Sequence, residues 1–378
     1  MKLFTGRKMF DIKVGDSIKL ASGKVAAVKD VLGEGGQGTV FKAEANGKEY
    51  ALKWYHPKTI RNPGDFYENL SRNVAGGSPS DKFLWPLDIT EKKSGRFGYL
   101  MDLKPSGFHA FSEFLCARVR FSSLSAVVNA TLNITNAFRD LHRKGYSYQD
   151  LNDGNFFINP KSGEVLICDN DNVAPYGVNL GIAGKARYMA PEVARHISLP
   201  DNYSDRFSLA VVLFELLFLN HPLEGAKTLV PCMTEELELE LYAKNPVFVY
   251  DPNDDSNRPN PHVHVNVVRL WKLFPEFIKE KFIRSFSKNA LDAKDESAFR
   301  AARLMDSEWQ TAFLNLRSCL VKCVCNDETI IDPYSESHCF CCDALIPKPM
   351  LLSIGKYIIP LFPGVRLYKC HVEGSSDD

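Results

Sequence analysis

The hydrophobic period of this 378-residue chain changes once along its length, and that change constrains the fold more than any single motif does. Residues 10–50 alternate apolar and polar positions between glycines, as in FDIKVGDSIKL and KVAAVKDVLG, which predicts antiparallel strands. FLWPLDI (83–89) and FGYLMDL (97–103) keep strand character, and Pro63 and Asp65 open an expected helix over 63–75. From about residue 112 the period is helical, through FSEFLCARV, LSAVVNATLNITNAFRDLHRKG, DRFSLAVVLFELLFL, VNVVRLWKLFPEFIKEKFIRSFS and SEWQTAFLNLRSCL. Residues 251–264, DPNDDSNRPNPHVH, predict a surface loop between helices. The tail from about 319 is Cys-rich and then strand-like, in KYIIPLF and VRLYKCHV. Strands gathered ahead of helices define an α+β chain.

Bulk properties remove several classes of function. Hydrophobic residues make up 45% and charged residues 24%, enough for a sizeable core, and the length suits a large two-lobed unit with a small appendage. The formal net charge is zero, so neither nucleic acid nor an anionic membrane is an expected partner. The N-terminal stretch lacks an apolar run of signal-peptide length, and LAVVLFELLFL (209–219) is short and interrupted by Glu215. A soluble, cytoplasmic protein is the expectation. Cys116, Cys168 and Cys232 lie in apolar surroundings and are predicted to be small core residues.

Chemistry enters at residues 33–40, G-E-G-G-Q-G-T-V. Gly33, Gly35 and Gly38 permit backbone N–H groups to approach phosphate oxygens where a Cβ would intervene, although a tight hairpin also explains three glycines. Fifteen residues after Gly38 comes Tyr50-Ala51-Leu52-Lys53, an apolar strand carrying one lysine suited to α- and β-phosphates. Fifteen further on, Glu68 lies in the first helix and is a candidate ion-pair partner for Lys53, with Asp65 the competitor. In YSYQDLNDGNFFI (146–158), Asp150 precedes Asn155 by five positions, the spacing of a loop that orients a hydroxyl with a carboxylate and holds a metal with an amide oxygen.

Taken together, these motifs resemble a eukaryotic-type protein kinase over about residues 25–315. The resemblance extends through I-C-D-N-D-N (167–172), where Asp169 stands for the metal-binding Asp, and G-K-A-R-Y-M-A-P-E (184–192). It continues to Asp205, the buried support of the catalytic loop, and Arg303, the usual partner of the A-P-E glutamate. It implies a two-lobed fold with a β-rich N-lobe (about 23–104) and a helical C-lobe (about 105–315). An N-terminal extension (1–22) and a Cys-rich tail (316–378) flank that domain. It further implies ATP held by Gly33, Gly35, Gly38, Val40, Ala51 and Lys53, Mg²⁺ held by Asn155 and Asp169, and Asp150 as the catalytic carboxylate. YQDLNDGNFFI, CDNDNVAP, VFVYDPNDDSNRPNP and the Cys-rich tail are similar to a bacterial subfamily with a C-terminal zinc-ribbon-type module. Genes of that subfamily often neighbour von Willebrand A-type proteins and a metal-dependent Ser/Thr phosphatase, which makes both candidate partners beside a protein substrate.

Several departures bear on activity. Tyr148-Gln149 replaces His-Arg ahead of Asp150, and residues 169–192 contain no Ser or Thr, so activation-segment Ser/Thr phosphorylation is not expected. Asn152 occupies the place of a lysine that neutralises the transferred phosphoryl group, while Lys185 occupies the place of a threonine that contacts it. An exchange of partners is the reading preferred here, against a plain surface lysine. Asn170 replaces a spine phenylalanine, so the spine is rebuilt or the segment stays fixed. Asp171 is expected to be a loop charge rather than a metal ligand. The lysine and both metal-binding residues remain, which favours Ser/Thr kinase activity in signalling or stress over a pseudokinase scaffold or a small-molecule kinase.

Six of the ten cysteines fall between Cys319 and Cys342. Cys323-x-Cys325 and Cys339-x-x-Cys342 supply four thiolates for a structural Zn²⁺, with Cys319, His338 and Cys341 as alternative ligands.

Overall fold

The computed structural model describes residues 12–93, 95–178, 180–181, 184–354 and 357–361. Residues 1–11 of the expected N-terminal extension, and the strand expected over 365–372, lie outside them. The described residues form two compact units. One holds the residues up to Ser106 together with Leu166–Ala174 and a few residues after it; the other holds Gly107–Val165, Pro175–Gly177 and the chain from Gly184 on.

The first unit is built on a six-stranded antiparallel sheet. Its members are β1 (Ser17–Lys19), β2 (Val25–Glu34), β3 (Gly38–Ala45), β4 (Lys48–Tyr55), β5 (Asp88–Ile89) and β6 (Gly98–Asp102), in the order β1-β2-β3-β4-β6-β5. The period-2 pattern sends Ile18, Val28, Phe41, Ala43, Leu52, Trp54 and Leu100 into one buried cluster. Lys53 and Tyr55 alternate with these and face the other side, where Tyr55 meets Phe66 and Phe97 edge to face and Tyr99 at a tilt. Gly38 pairs with Tyr55 so closely that a Cβ would meet the Trp54 carbonyl at 2.4 Å; only glycine fits that close approach. Most of FLWPLDI is not strand, because Pro86 offers the ladder no donor and β5 shrinks to two residues.

Helix α1 (Pro63–Gly76) begins on Pro63, as the sequence predicts, and buries Phe66, Asn69, Leu70 and Asn73. That i, i+3, i+4, i+7 stripe is half asparagine, an unusual choice for a core-facing seam. Both amides donate to the carbonyl of Val173, Asn69 at 2.8 Å and Asn73 at 2.8 Å.

The second unit is helical. β7 (His109–Ala110) leads into α2 (Phe111–Leu115), and α3 (Leu124–Arg143) starts on a Ser123 cap. The short strands β8 (Tyr146–Ser147), β9 (Phe156–Ile158), β10 (Val165–Ile167) and β11 (Ala174–Pro175) punctuate the segment that follows. After α4 (Pro191–Ala194), helix α5 (Asn202–Phe218) is closed by an Asp201–Ser204 capping box and is apolar nearly all round. Such a helix belongs at the centre of a lobe. Phe214 and Phe218 meet Phe248, Trp271 and Phe282 there. Helices α6 (Glu235–Leu239), α7 (Val265–Leu273), α8 (Glu276–Ser285), α9 (Lys288–Leu291), α10 (Glu296–Ala302) and α11 (Asp306–Ser318) complete the bundle. Pro275 separates α7 from α8, which the sequence joins in one periodic run.

Among the described residues the tail forms three hairpins: β12 (Leu320–Lys322) with β13 (Glu328–Ile330), β14 (Ser337–His338) with β15 (Leu345–Ile346), and β16 (Met350–Ile354) with β17 (Tyr357–Leu361). The first two dock on the helical unit. Glu328 accepts from the backbone N–H of Ser125 at 2.8 Å and its hydroxyl at 2.7 Å, placing a carboxylate in the first turn of α3. Arg269 of α7 donates to the Phe340 carbonyl, and Phe274 meets Phe340 edge to face.

Among the scattered cysteines only Cys168 is a core residue; Cys116 and Cys232 are exposed. Both fall just where a helical or apolar run ends, so their neighbours' hydropathy misleads.

Candidate active site

In the first unit the chemistry centres on Lys53. Burial works against its charged ammonium, but the nearby Asp171 and Asp169 carboxylates outweigh burial and hold the amine above its ordinary pKa. Its Nζ lies 3.0 Å from Asp171 Oδ2 and 3.1 Å from Asp169 Oδ1, with Gln37 Oε1 at 3.3 Å. Asp171 is fully buried, accepts from the Tyr55 hydroxyl, and has the Tyr99 hydroxyl at 3.4 Å. It is therefore a paired core carboxylate and not the loop charge that the sequence predicts. Glu68 is corrected too: it lies exposed on α1, and the carboxylates on the lysine are Asp169 and Asp171. The buried stripe of α1 passes through Phe66, Asn69, Leu70 and Asn73, which turns position 68 outward; Asp65 is likewise exposed.

Asp169 takes a left-handed backbone (φ 55°) at the entry to a single turn over Asn170–Asn172. Asn170 does not leave a hole in an apolar spine. It is buried, and its amide donates to the carbonyls of Leu84 and Ile167, both at 2.9 Å. The turn is thus pinned to the strand side of the unit. Asp169 stays partly exposed, with an oxygen donor of the kind that hard cations take. On the glycine loop, the positions above Gly33 and Gly35 are open to a ligand, Val40 is half-buried opposite Lys53, and Ala51 is buried.

In the second unit the loop after β8 is tied together by its own amides. Asn155 Nδ2 donates to the Asp150 carbonyl at 2.6 Å, a bond that does not use its amide oxygen, an atom of the kind that hard cations take. Asn152 Nδ2 donates to Asp150 Oδ1 at 3.0 Å, and Asn152 Oδ1 accepts from Gly154 N–H at 2.9 Å. The residue in the place of the usual lysine thus holds the Asp150 carboxylate by a hydrogen bond and carries no charge. Lys185 reaches Asp153 Oδ1 with its Nζ at 2.6 Å, while half its side chain remains exposed. Tyr148 is buried against Phe138, and Asp205 accepts from the backbone N–H groups of Tyr148 at 2.6 Å and Gln149 at 3.3 Å.

Around this loop the unit is stiffened by buried charge. Arg303 grips Glu192 with two parallel bonds of 2.6 and 2.7 Å, both side chains out of solvent. The Tyr188 hydroxyl donates to Glu215 at 2.7 Å, so this tyrosine is packed and not available for modification.

In the tail, Cys323, Cys325, Cys339 and Cys342 place their sulfurs within 4.8 Å of one another, with 3.7 Å for both Cys323–Cys342 and Cys325–Cys339. A tetrahedron with Zn–S bonds of about 2.3 Å has S–S edges of about 3.8 Å, so the set fits zinc. Burial opposes ionisation of Cys339, but the backbone N–H groups of Cys342 and Cys341 point at it and bring the thiol down to about 7. Cys325, Asp327 and Cys341 form an adjoining trio, whereas Cys319 is buried as an apolar residue.

Residues 26–309 match the protein kinase domain family, and the chain belongs to that family. Its fold is the two-lobed protein kinase fold, a β-rich N-lobe and a helical C-lobe, followed by a Cys-rich stretch of strands. A search of curated proteins finds no match. No helix among the described residues is long and apolar enough to cross a membrane.

Sequence reasoning missed four residues: Asp171 and Tyr55 at the lysine, and Asn69 and Asn73 at Val173. The signal available for the last two was their i, i+4 spacing on the apolar face of α1. Nothing local marks Asp171, because its partner lies 118 positions away.

Proposed function

We propose that the chain is an ATP- and Mg²⁺-dependent Ser/Thr protein kinase, a cytoplasmic component of bacterial signalling or stress response. The observation that carries this reading is the retention of every oxygen and nitrogen group the transfer needs. Lys53 is buried and charged on its strand, Asp169 is partly exposed, and Asp150 and Asn155 are held by loop hydrogen bonds. Lys53, beside Gly33, Gly35, Gly38, Val40 and Ala51, binds the nucleotide. Asn155 and Asp169 are the residues that would hold Mg²⁺, which when bound supplies positive charge to the phosphates. Asp150 orients the substrate hydroxyl, and Lys185 adds positive charge beside the loop. The kinase domain is taken as residues 23–315, after an extension over 1–22 and before a tail over 316–378.

The buried Arg303–Glu192 pair supports the segment that docks peptides in protein kinases, which favours a protein substrate over a small molecule. Von Willebrand A-type proteins and a metal-dependent phosphatase are the partners proposed from the subfamily resemblance. The four-thiolate tail is proposed to hold one structural Zn²⁺.

The test is incubation with γ-labelled ATP and Mg²⁺, alone and with a generic basic protein, beside Asp169→Ala. Label on serine or threonine that disappears in the variant supports the reading. Nucleotide binding without transfer by the unaltered chain would make it a scaffold.

A further inference from the structure

In protein kinases the phosphate-binding lysine must be held by a carboxylate before transfer can occur, and placing that carboxylate on a mobile helix makes the helix a switch. The arrangement here differs in three places, all within the N-terminal unit. Position 68 of α1 points to solvent. The buried carboxylate on Lys53 comes from Asp171, two residues beyond the partly exposed Asp169 that also reaches the amine, and it has the Tyr55 hydroxyl as a further donor. Helix α1 is fastened to that same segment by Asn69 and Asn73, which share the Val173 carbonyl. The turn carrying Asp171 is itself pinned by the Asn170 amide to Leu84 and Ile167.

We infer that Asp171 is the positioning residue for Lys53, in the role the sequence assigns to Glu68, so that the lysine is registered by the metal-binding segment and not by α1. The inference deepens the kinase reading and rests on it for its functional consequence. A lysine anchored this way keeps its place whatever α1 does, so the site has no helix-swing control. The absence of Ser and Thr from residues 169–192 agrees, since there is no such hydroxyl whose phosphorylation would need to drive a swing. Asp171 acts through Lys53 and touches no phosphate.

The experiment needs neither nucleotide nor metal. The Lys53 amine is challenged at neutral pH with an amine-acylating reagent, and its modification is read by mass spectrometry of the peptide that carries it, with Lys53→Arg as the blank. In the unaltered protein and in Glu68→Gln it should be acylated slowly and at the same rate. In Asp171→Asn acylation should be about tenfold faster or more, as expected when a buried amine loses the carboxylate that holds it. A parallel assay of label transfer should show Glu68→Gln within about twofold of the unaltered chain and Asp171→Asn lower in kcat/KM by on the order of a hundredfold.

Acylation of Lys53 that speeds up with Glu68→Gln and not with Asp171→Asn would overturn the inference. If the unaltered chain transfers no label, the kinase reading fails, while the acylation rates still identify the anchor. If Asp171→Asn does not fold, Glu68→Gln decides: unchanged acylation and transfer support the inference, and a tenfold loss of transfer overturns it.

Discussion

Lys185 and Asn152 show how one position's chemistry is read through another. Asn152 spends its amide on the Asp150 carboxylate and backbone, so it cannot be the cation beside the transferred group. Lys185 is next to the same loop through Asp153, and its exposed half leaves the ammonium free to meet a second anion. Lys185→Ala should therefore lower kcat by about a hundredfold, on the order of 3 kcal/mol, with the KM for ATP little changed. The contact strengthens as charge develops, so loss appears in the chemical step and not in ground-state binding. Asn152→Lys combined with Lys185→Thr should recover part of the activity. Steady-state kinetics of the three chains would check this; a Lys185→Ala enzyme within about twofold of the unaltered one would make the lysine a bystander.

Helices α3, α5 and α11 are joined by a single ring. His142 of α3 lies 3.2 Å from Asp205 of α5 through Nε2 and 2.8 Å from Asp306 of α11 through Nδ1. Burial opposes its charge, but hydrogen bonds to Asp205 and Asp306 prevail and raise it from 6.5 to about 9. A histidine whose folded pKa is raised stabilises the fold fully below its unfolded pKa of about 6.5, and that contribution is lost as pH rises through about 9. Urea unfolding should show the unaltered chain losing on the order of 3 kcal/mol more than His142→Asn between pH 6.5 and 9.5. The comparison also cancels Glu215, whose carboxyl burial pushes up to about 8. Parallel stability curves for the two chains would remove His142 as the source. Because Asp205 also receives the N–H groups of Tyr148 and Gln149, the same titration bears on the loop that carries Asp150.

At the scale of the whole molecule the tail adds a third small core that metal can supply and hydrophobic burial cannot. Hairpins this short bury little apolar surface, so four thiolates around one ion would provide most of their folding energy. Protein purified without chelator should contain about one zinc per chain, and Cys339→Ser should lower that content. Removing the metal should loosen the strands after Ser318 while the transition of the helical core persists, since that core has its own aromatic interior around Phe214 and Trp309. Metal analysis and hydrogen exchange of the tail check both outcomes. Metal-free protein with a protected tail would leave the thiols as ordinary packing groups.

The order of sheet then helices, the lysine strand, the Asp150–Asn155 loop and the Cys pairs were all legible in the sequence. Each depends on short-range spacing: period 2 in β3 and β4, period 3.6 in α5, five residues in a loop, two or three in a Cys pair. Distant pairings decided the rest. Which acid meets Lys53 depends on how the turn that carries Asp171, 118 residues later, folds, and burial then makes the nearer, solvated Glu68 irrelevant to it. Local pattern tells which side of an element is inside; only the packed structure determines which buried charge finds which partner, because an unpaired one costs too much to remain.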